Sequence, residues 1–186
     1  MKPWATPLCT SLALLVSASG CAGYRMAAGG ATLGIGEDAH DLGAVIDLEQ
    51  GLTMPSADGQ TVRRSPIGLA ANLRVKIVDE HVQAAPGIAL LVIPVTGIAM
   101  PFFDLGARLF QIDASADGVG AGAFSPFASL GLIIGVPGES IATERAAGGL
   151  GFVVHVAGGY DLWFHDLPNS WWISASLGIA YFFGVS

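Results

Sequence analysis

Few residues in this chain carry side chains able to do chemistry, and they are scattered. His155 and Asp161 stand six positions apart, which puts both on one face of an extended strand. With a serine nucleophile they would supply the base and the orienting acid of a hydrolytic relay. No serine is tied to them by spacing, however, and the Gly-x-Ser-x-Gly elbow is absent. His165-Asp166 with Asn169-Ser170 falls in a turn, where solvated polar residues are expected for local reasons. His40, His81, His155 and His165 show no ligand spacing, and Glu37-Asp38-Ala39-His40-Asp41 lacks the regular pattern of a calcium loop. The glycines at Gly29-Gly30, Gly34 and Gly36 are not followed by the Lys and Ser/Thr of a phosphate loop. These residues predict no catalytic site, no metal and no cofactor.

The charges are more informative. Asp47 and Glu49 share a strand face, as do Arg74 and Lys76 on the next strand, and antiparallel pairing would set the two groups opposite each other. Unpaired charge is expensive inside a protein, so these four, joined by Arg108, His155 and Asp161, are expected to form an interior polar network. Such a network either closes a lumen or lines a pore or small-ligand site.

The elements that must position these residues follow from composition and punctuation. Charged residues are 12% of the 186-residue chain and hydrophobic residues 52%, so apolar surface must enter a large core or meet lipid. Gly and Pro signals divide the chain into strands near 24–36, 42–54, 66–79, 87–100, 103–114, 127–136, 149–164 and 171–183. The turns are expected at Glu37-Asp38, Pro55-Ser56-Ala57-Asp58-Gly59, Ala85-Pro86-Gly87, Asp117-Gly118, Pro137-Gly138 and Pro168-Asn169. Ile88 to Met100 lacks alternation, is too short for a membrane helix and holds Pro94; it reads as a strand kinked there and split near Thr96-Gly97.

Elsewhere the alternation has a period of two. Leu42, Ala44, Ile46 and Leu48 oppose Gly43, Asp47 and Glu49; Leu69, Leu73 and Ile77 oppose Asn72, Arg74 and Lys76. Leu150, Phe152, Val154 and Val156 oppose Gly151, His155 and Ala157, and Ile173, Leu177 and Ile179 oppose Ser174, Ser176 and Gly178. One face is large and apolar, the other small and polar. A soluble barrel would need the second face to satisfy water, which so few charges do poorly. A membrane barrel turns the apolar face to lipid and fills a narrow interior with the small one. Tyr24, Trp163, Phe164, Trp171, Trp172 and Tyr181 to Phe183 lie towards strand ends, as interfacial girdles require.

Over residues 24–183 the pattern resembles the small eight-stranded outer-membrane β-barrels of the OmpA and OmpX type. The final Tyr181-Phe182-Phe183 is similar to their C-terminal assembly signal, although Gly184-Val185-Ser186 follow it. The resemblance implies an all-β, antiparallel up-and-down barrel of about eight strands. It carries no activity, and no motif of the lipid A-modifying barrel enzymes is present.

The N-terminus carries a second resemblance. Lys2, the apolar run Leu8 to Val16 and the small residues before Cys21 have the layout of a secretory signal. Ala18-Ser19-Gly20-Cys21 resembles the lipobox of bacterial lipoproteins, with Ala18 where a larger aliphatic residue is usual. That resemblance implies cleavage between Gly20 and Cys21, acylation of Cys21 with diacylglycerol and a fatty acid such as palmitate, and, with Ala22 next, sorting to the outer membrane. The alternative is an ordinary signal peptide cut nearby. Residues 1–20 are then the removed signal and 21–186 a single barrel domain. Removal takes Lys2 and no acid, leaving 7 Lys+Arg against 15 Asp+Glu and a formal charge of −8. Cys9 leaves with the signal, so Cys21 has no intrachain partner. An acidic chain without a basic run offers nucleic acid no footprint; membrane lipid is the partner implied, through Cys21 and the barrel exterior.

The expected function is that of a non-enzymatic outer-membrane barrel lipoprotein with an envelope structural or surface-interaction role. Two alternatives stand beside it. One is a lipid-anchored periplasmic β-barrel or sandwich, lipocalin-like, that binds an apolar ligand and buries Leu69, Leu73 and Ile77. The other is a lipid-modifying barrel enzyme that depends on His155.

Overall fold

The structure, a computed structural model, describes residues 22–35, 40–58, 61–94, 99–116, 118–135, 149–164 and 169–183. The proposed signal, Cys21 and the turns expected at 37–38 and 137–138 lie outside these residues. The described residues form strands β1 (Ala22–Ile35), β2 (His40–Asp58), β3 (Thr61–Val78), β4 (His81–Val92), β5 (Ala99–Arg108), β6 (Ile112–Ser115), β7 (Gly118–Ala121), β8 (Ala123–Gly135), β9 (Gly149–Trp163) and β10 (Ser170–Phe183). No helix occurs among them.

Every pairing is antiparallel, and pairing of β3 with β4 closes the sheet into a ring. The ring has eight walls, because the pairing of β6 with β7 continues the register of β5 with β8. The break between β7 and β8 is Gly122, at φ 112°, whose N–H donates to the Gln111 carbonyl at 3.0 Å. The break between β5 and β6 is a bulge. Arg108 pairs with Gly87 and Ile112 with Ala84, leaving three residues opposite two. Closure leaves these walls no free edge, which suits strands so apolar.

The sequence reading of the turns needs two corrections. Ala85-Pro86-Gly87 lies inside β4, not at a turn. Pro86 falls at the bulge, where pairing with β5 and β6 is interrupted and a strand tolerates a missing N–H. Asp79-Glu80 makes the turn instead, with Asp79 at φ 50°, a conformation Asp accepts more readily than most residues. Likewise β2 runs through Pro55-Ser56-Ala57-Asp58, with an irregularity between Thr53 and Pro55. The Ile88 to Met100 run is divided between two strands, and Thr96-Gly97, the expected point of the split, lies outside the described residues. β4 ends at Val92, the Ile93 N–H donates to the Pro66 carbonyl at 2.7 Å, and β5 opens at Ala99.

The register fixes the size of the barrel. Following paired residues round the ring leads from Tyr24 through Gly51, Ala70, Ala89, Gly106, Phe127, Gly159 and Trp172 to Gly34, ten residues beyond the start. Eight strands with this stagger tilt by about 41°, given a rise of about 3.3 Å and a spacing of about 4.8 Å. An interior that narrow is filled by side chains.

The apolar face is the outer one. Leu69, Leu73 and Ile77 are 57%, 37% and 43% exposed, which is the reverse of what a lipocalin-like core requires. On β10, Trp171, Ile173, Leu177, Ile179 and Tyr181 face out while Trp172, Ser174, Ser176 and Ala180 are buried. Trp171 and Tyr181 are ten residues apart, or about 25 Å along the axis at this tilt, the height of the apolar band of a membrane barrel.

The girdle expectation is corrected for Tyr24, Trp172 and Phe182, which turn inward. Each lies opposite a glycine on the neighbouring strand: Tyr24 over Gly51, Trp172 over Gly159 and Phe182 over Gly149. Phe102 lies over Gly131 in the same way. A Cβ at Gly51 would come within 2.6 Å of the Tyr24 ring, and one at Gly159 within 2.6 Å of Trp172. The missing side chains make the room that lets each ring lie against the barrel wall.

Candidate functional site: the polar interior

Inward alternation on β2, β3, β5 and β9 brings Asp47, Glu49, Arg74, Lys76, Arg108, His155 and Asp161 into the lumen, and all seven are buried. Their partners differ from the simple pairing across one hairpin. Arg74 does meet Asp47, its register partner, through Nε to Oδ1 at 2.8 Å and Nη2 to Oδ2 at 3.1 Å. Arg74 also donates to Ser174 Oγ. Lys76 instead crosses the lumen to Asp161, at 2.6 Å, and Asp161 accepts a second bond from Trp172 Nε1 at 3.0 Å. Glu49 accepts from the Tyr24 hydroxyl. The stagger of the ring explains these crossings, because it raises β9 and β10 relative to β2 at a given residue offset.

Sequence reading missed Asp104, which is fully buried and accepts from Ser129 Oγ at 2.7 Å. The signal for it was the alternation Phe102, Asp104, Gly106, Arg108, whose inward members include both charges. It placed Ser174 and Ser176 on the inward face without giving them a part in the network, and it read Trp172 as a girdle residue, where its ring turns inward. Arg74 sits 4.1 Å over the Trp172 ring, and Arg108 sits 4.8 Å over it and 4.3 Å over Phe127.

His155 lacks the two-sided geometry of a serine relay. Its Nδ1 faces both Ser176 Oγ, at 3.3 Å, and Asp47 Oδ2, at 3.6 Å, while its ring stacks on Phe102 at 5.9 Å. A nucleophile relay uses the two ring nitrogens for the two partners. At the rim, His81 meets Asp113 at 2.9 Å and Gln111 donates to Gln83 at 3.0 Å. No group of three His, Cys, Asp or Glu able to hold a metal occurs among the described residues.

The interior is divided along its length. Near the end where Gly23 pairs with Phe183, it is packed with Tyr24, Met26, Leu91, Phe102, Ile133, Val153 and Ala180. The ion pairs occupy the middle and the opposite half. Apolar packing thus closes the terminal end, and the charges are cross-linked above it.

This geometry has a match among solved structures. The chain is similar to Neisserial surface protein A, with a TM-score of 0.59 over 87% of this chain and 97% of that one, at 10% identity. The likeness is one of fold. No family model matches the chain, and no curated protein matches its sequence.

Proposed function

We propose that this protein is an integral outer-membrane β-barrel without enzymatic activity, acting in envelope structure or surface interaction and anchored further through acylated Cys21. The observation that carries the reading is the exterior band, apolar from Trp171 to Tyr181, with Asp47, Glu49, Arg74, Lys76, Arg108 and Asp161 turned inward. A water-soluble barrel has no reason to expose leucine at this density and hide its charges. The fold shared with a surface protein of Neisseria supports the same placement. Apolar packing at the terminal end and ion pairs above it favour a closed lumen over a pore. The geometry of His155 speaks against a lipid-modifying enzyme.

Cys21 directly precedes β1. Acyl chains there would enter the bilayer beside the barrel, at the end holding both strand termini, with no spacer between. Either attachment would suffice alone, since each buried methylene contributes about 0.8 kcal/mol and two acyl chains already hold a protein stably.

The test is fractionation of a Cys21→Ala variant with a signal peptidase I site supplied, followed by a carbonate wash and gel mobility with and without heating. The expected protein stays in the outer membrane and shifts mobility on heating. A soluble periplasmic protein would contradict the integral barrel. Absence of a lipid-dependent mass on the native chain would remove the anchor alone.

A further inference from the structure

Arg108 differs from the other interior cations. Arg74 and Lys76 each meet a carboxylate, whereas no ion pair joins Arg108 to any acid among the described residues. It is 4% exposed, and its Nε has no hydrogen-bond partner. Three further polar groups around it are in the same position. Arg74, 1% exposed, leaves Nη1 without a partner; Ser125, its hydroxyl likewise unpartnered, is fully buried directly opposite Arg108 in the register; Asn72 leaves Nδ2 and Oδ1 unpartnered. Asn72 and Arg108 both lean over Gly87, where a Cβ would lie 2.8 Å from Asn72 Oδ1 and 2.9 Å from Arg108 Cγ. Arg74 and Arg108 also crowd two positive charges against the one Trp172 ring.

No lumen acid makes a direct ion pair with Arg108 among the described residues. Asp47 and Asp161 are engaged by Arg74 and Lys76, and Glu49 and Asp104 are held by Tyr24 and Ser129. An unpaired buried guanidinium is costly, and the cost falls when a counter-ion accepts its N–H groups.

We propose that the barrel holds a small monovalent anion of halide size between Arg108 Nε, Arg74 Nη1, the Ser125 hydroxyl and Asn72 Nδ2. The donors are two guanidinium groups, a hydroxyl and an amide, a set that suits a compact sphere of charge. Aromatic packing closes the terminal end, so the ion enters from the opposite end or is captured during folding.

The mature chain folded in detergent micelles, with bromide standing for chloride, tests this. At constant ionic strength, exchange of gluconate for bromide is expected to raise the thermal unfolding midpoint saturably by several degrees, as ligand binding to the folded state requires. Ser125→Ala is expected to weaken the bromide response roughly tenfold in concentration, and Arg108→Gln to abolish it. Should Arg108→Gln fail to fold, crystals grown in bromide decide the matter by an anomalous peak among these four groups. Equal midpoints in gluconate and bromide, or water in place of the bromine peak, would overturn the proposal.

Discussion

The two halves of the lumen solve one problem by different chemistry. At the terminal end the barrel is filled by rings and aliphatic chains, Tyr24, Phe102, Leu91, Ile133 and Phe182, with glycines opposite three of the rings clearing their paths. In the other half it is filled by Arg74 and Lys76 with their acids, and by Arg108. The walls are continuous, so the contrast shows that a narrow barrel needs only a filled interior. The apolar half gains from packing that needs no partner; the charged half holds only while each ion keeps its own.

That contrast predicts where single substitutions hurt most. Arg74→Met should be the most destabilising, by about 3–5 kcal/mol, because it strands Asp47 in the interior. The double variant Arg74→Met with Asp47→Leu should recover most of that loss; a double variant as unstable as the single would break the account of the charged half. Denaturant midpoints of the folded barrel in vesicles provide the measurement.

Next in size is a charge placed on the outside. Leu177→Arg, midway in the exterior band, should cost about 2–4 kcal/mol, and Tyr181→Arg at its edge about 0–1 kcal/mol. Equal costs at both sites would argue that the exterior meets water and not a bilayer. In the apolar half Gly131→Ala should cost about 1–3 kcal/mol by pushing on Phe102, with refolding yield as a second readout. Ser129→Ala takes one partner from Asp104 and should also cost about 1–3 kcal/mol, towards the low end if the carboxylate relaxes.

The outer surface was legible in the sequence because it depends only on alternation: Leu69, Ala71, Leu73, Val75 and Ile77 are apolar at every second position whatever their neighbours. Most of the charged membership of the interior was legible for the same reason, although Asp104 was missed. Its wiring was not. That Lys76 reaches Asp161 and leaves Glu49 to Tyr24 depends on the stagger between strands distant in sequence, which no local spacing records. Two local signals misled in opposite ways. Pro86 has the chemistry of a turn but sits at a bulge inside β4, and Trp172 is an aromatic near a strand end whose parity turns it inward over Gly159.

Adjacent tryptophans give the most direct test of the central claim, that the apolar exterior faces lipid. Trp171 is 62% exposed and Trp172 4%. Two mature proteins, each retaining one of the pair with the other and Trp163 changed to Phe, are refolded into vesicles of brominated lipid and checked for folding by heat-dependent gel mobility. The account expects bromine to quench Trp171 strongly and Trp172 little. Equal quenching, or a Trp171 that lipid bromine leaves untouched, would contradict it.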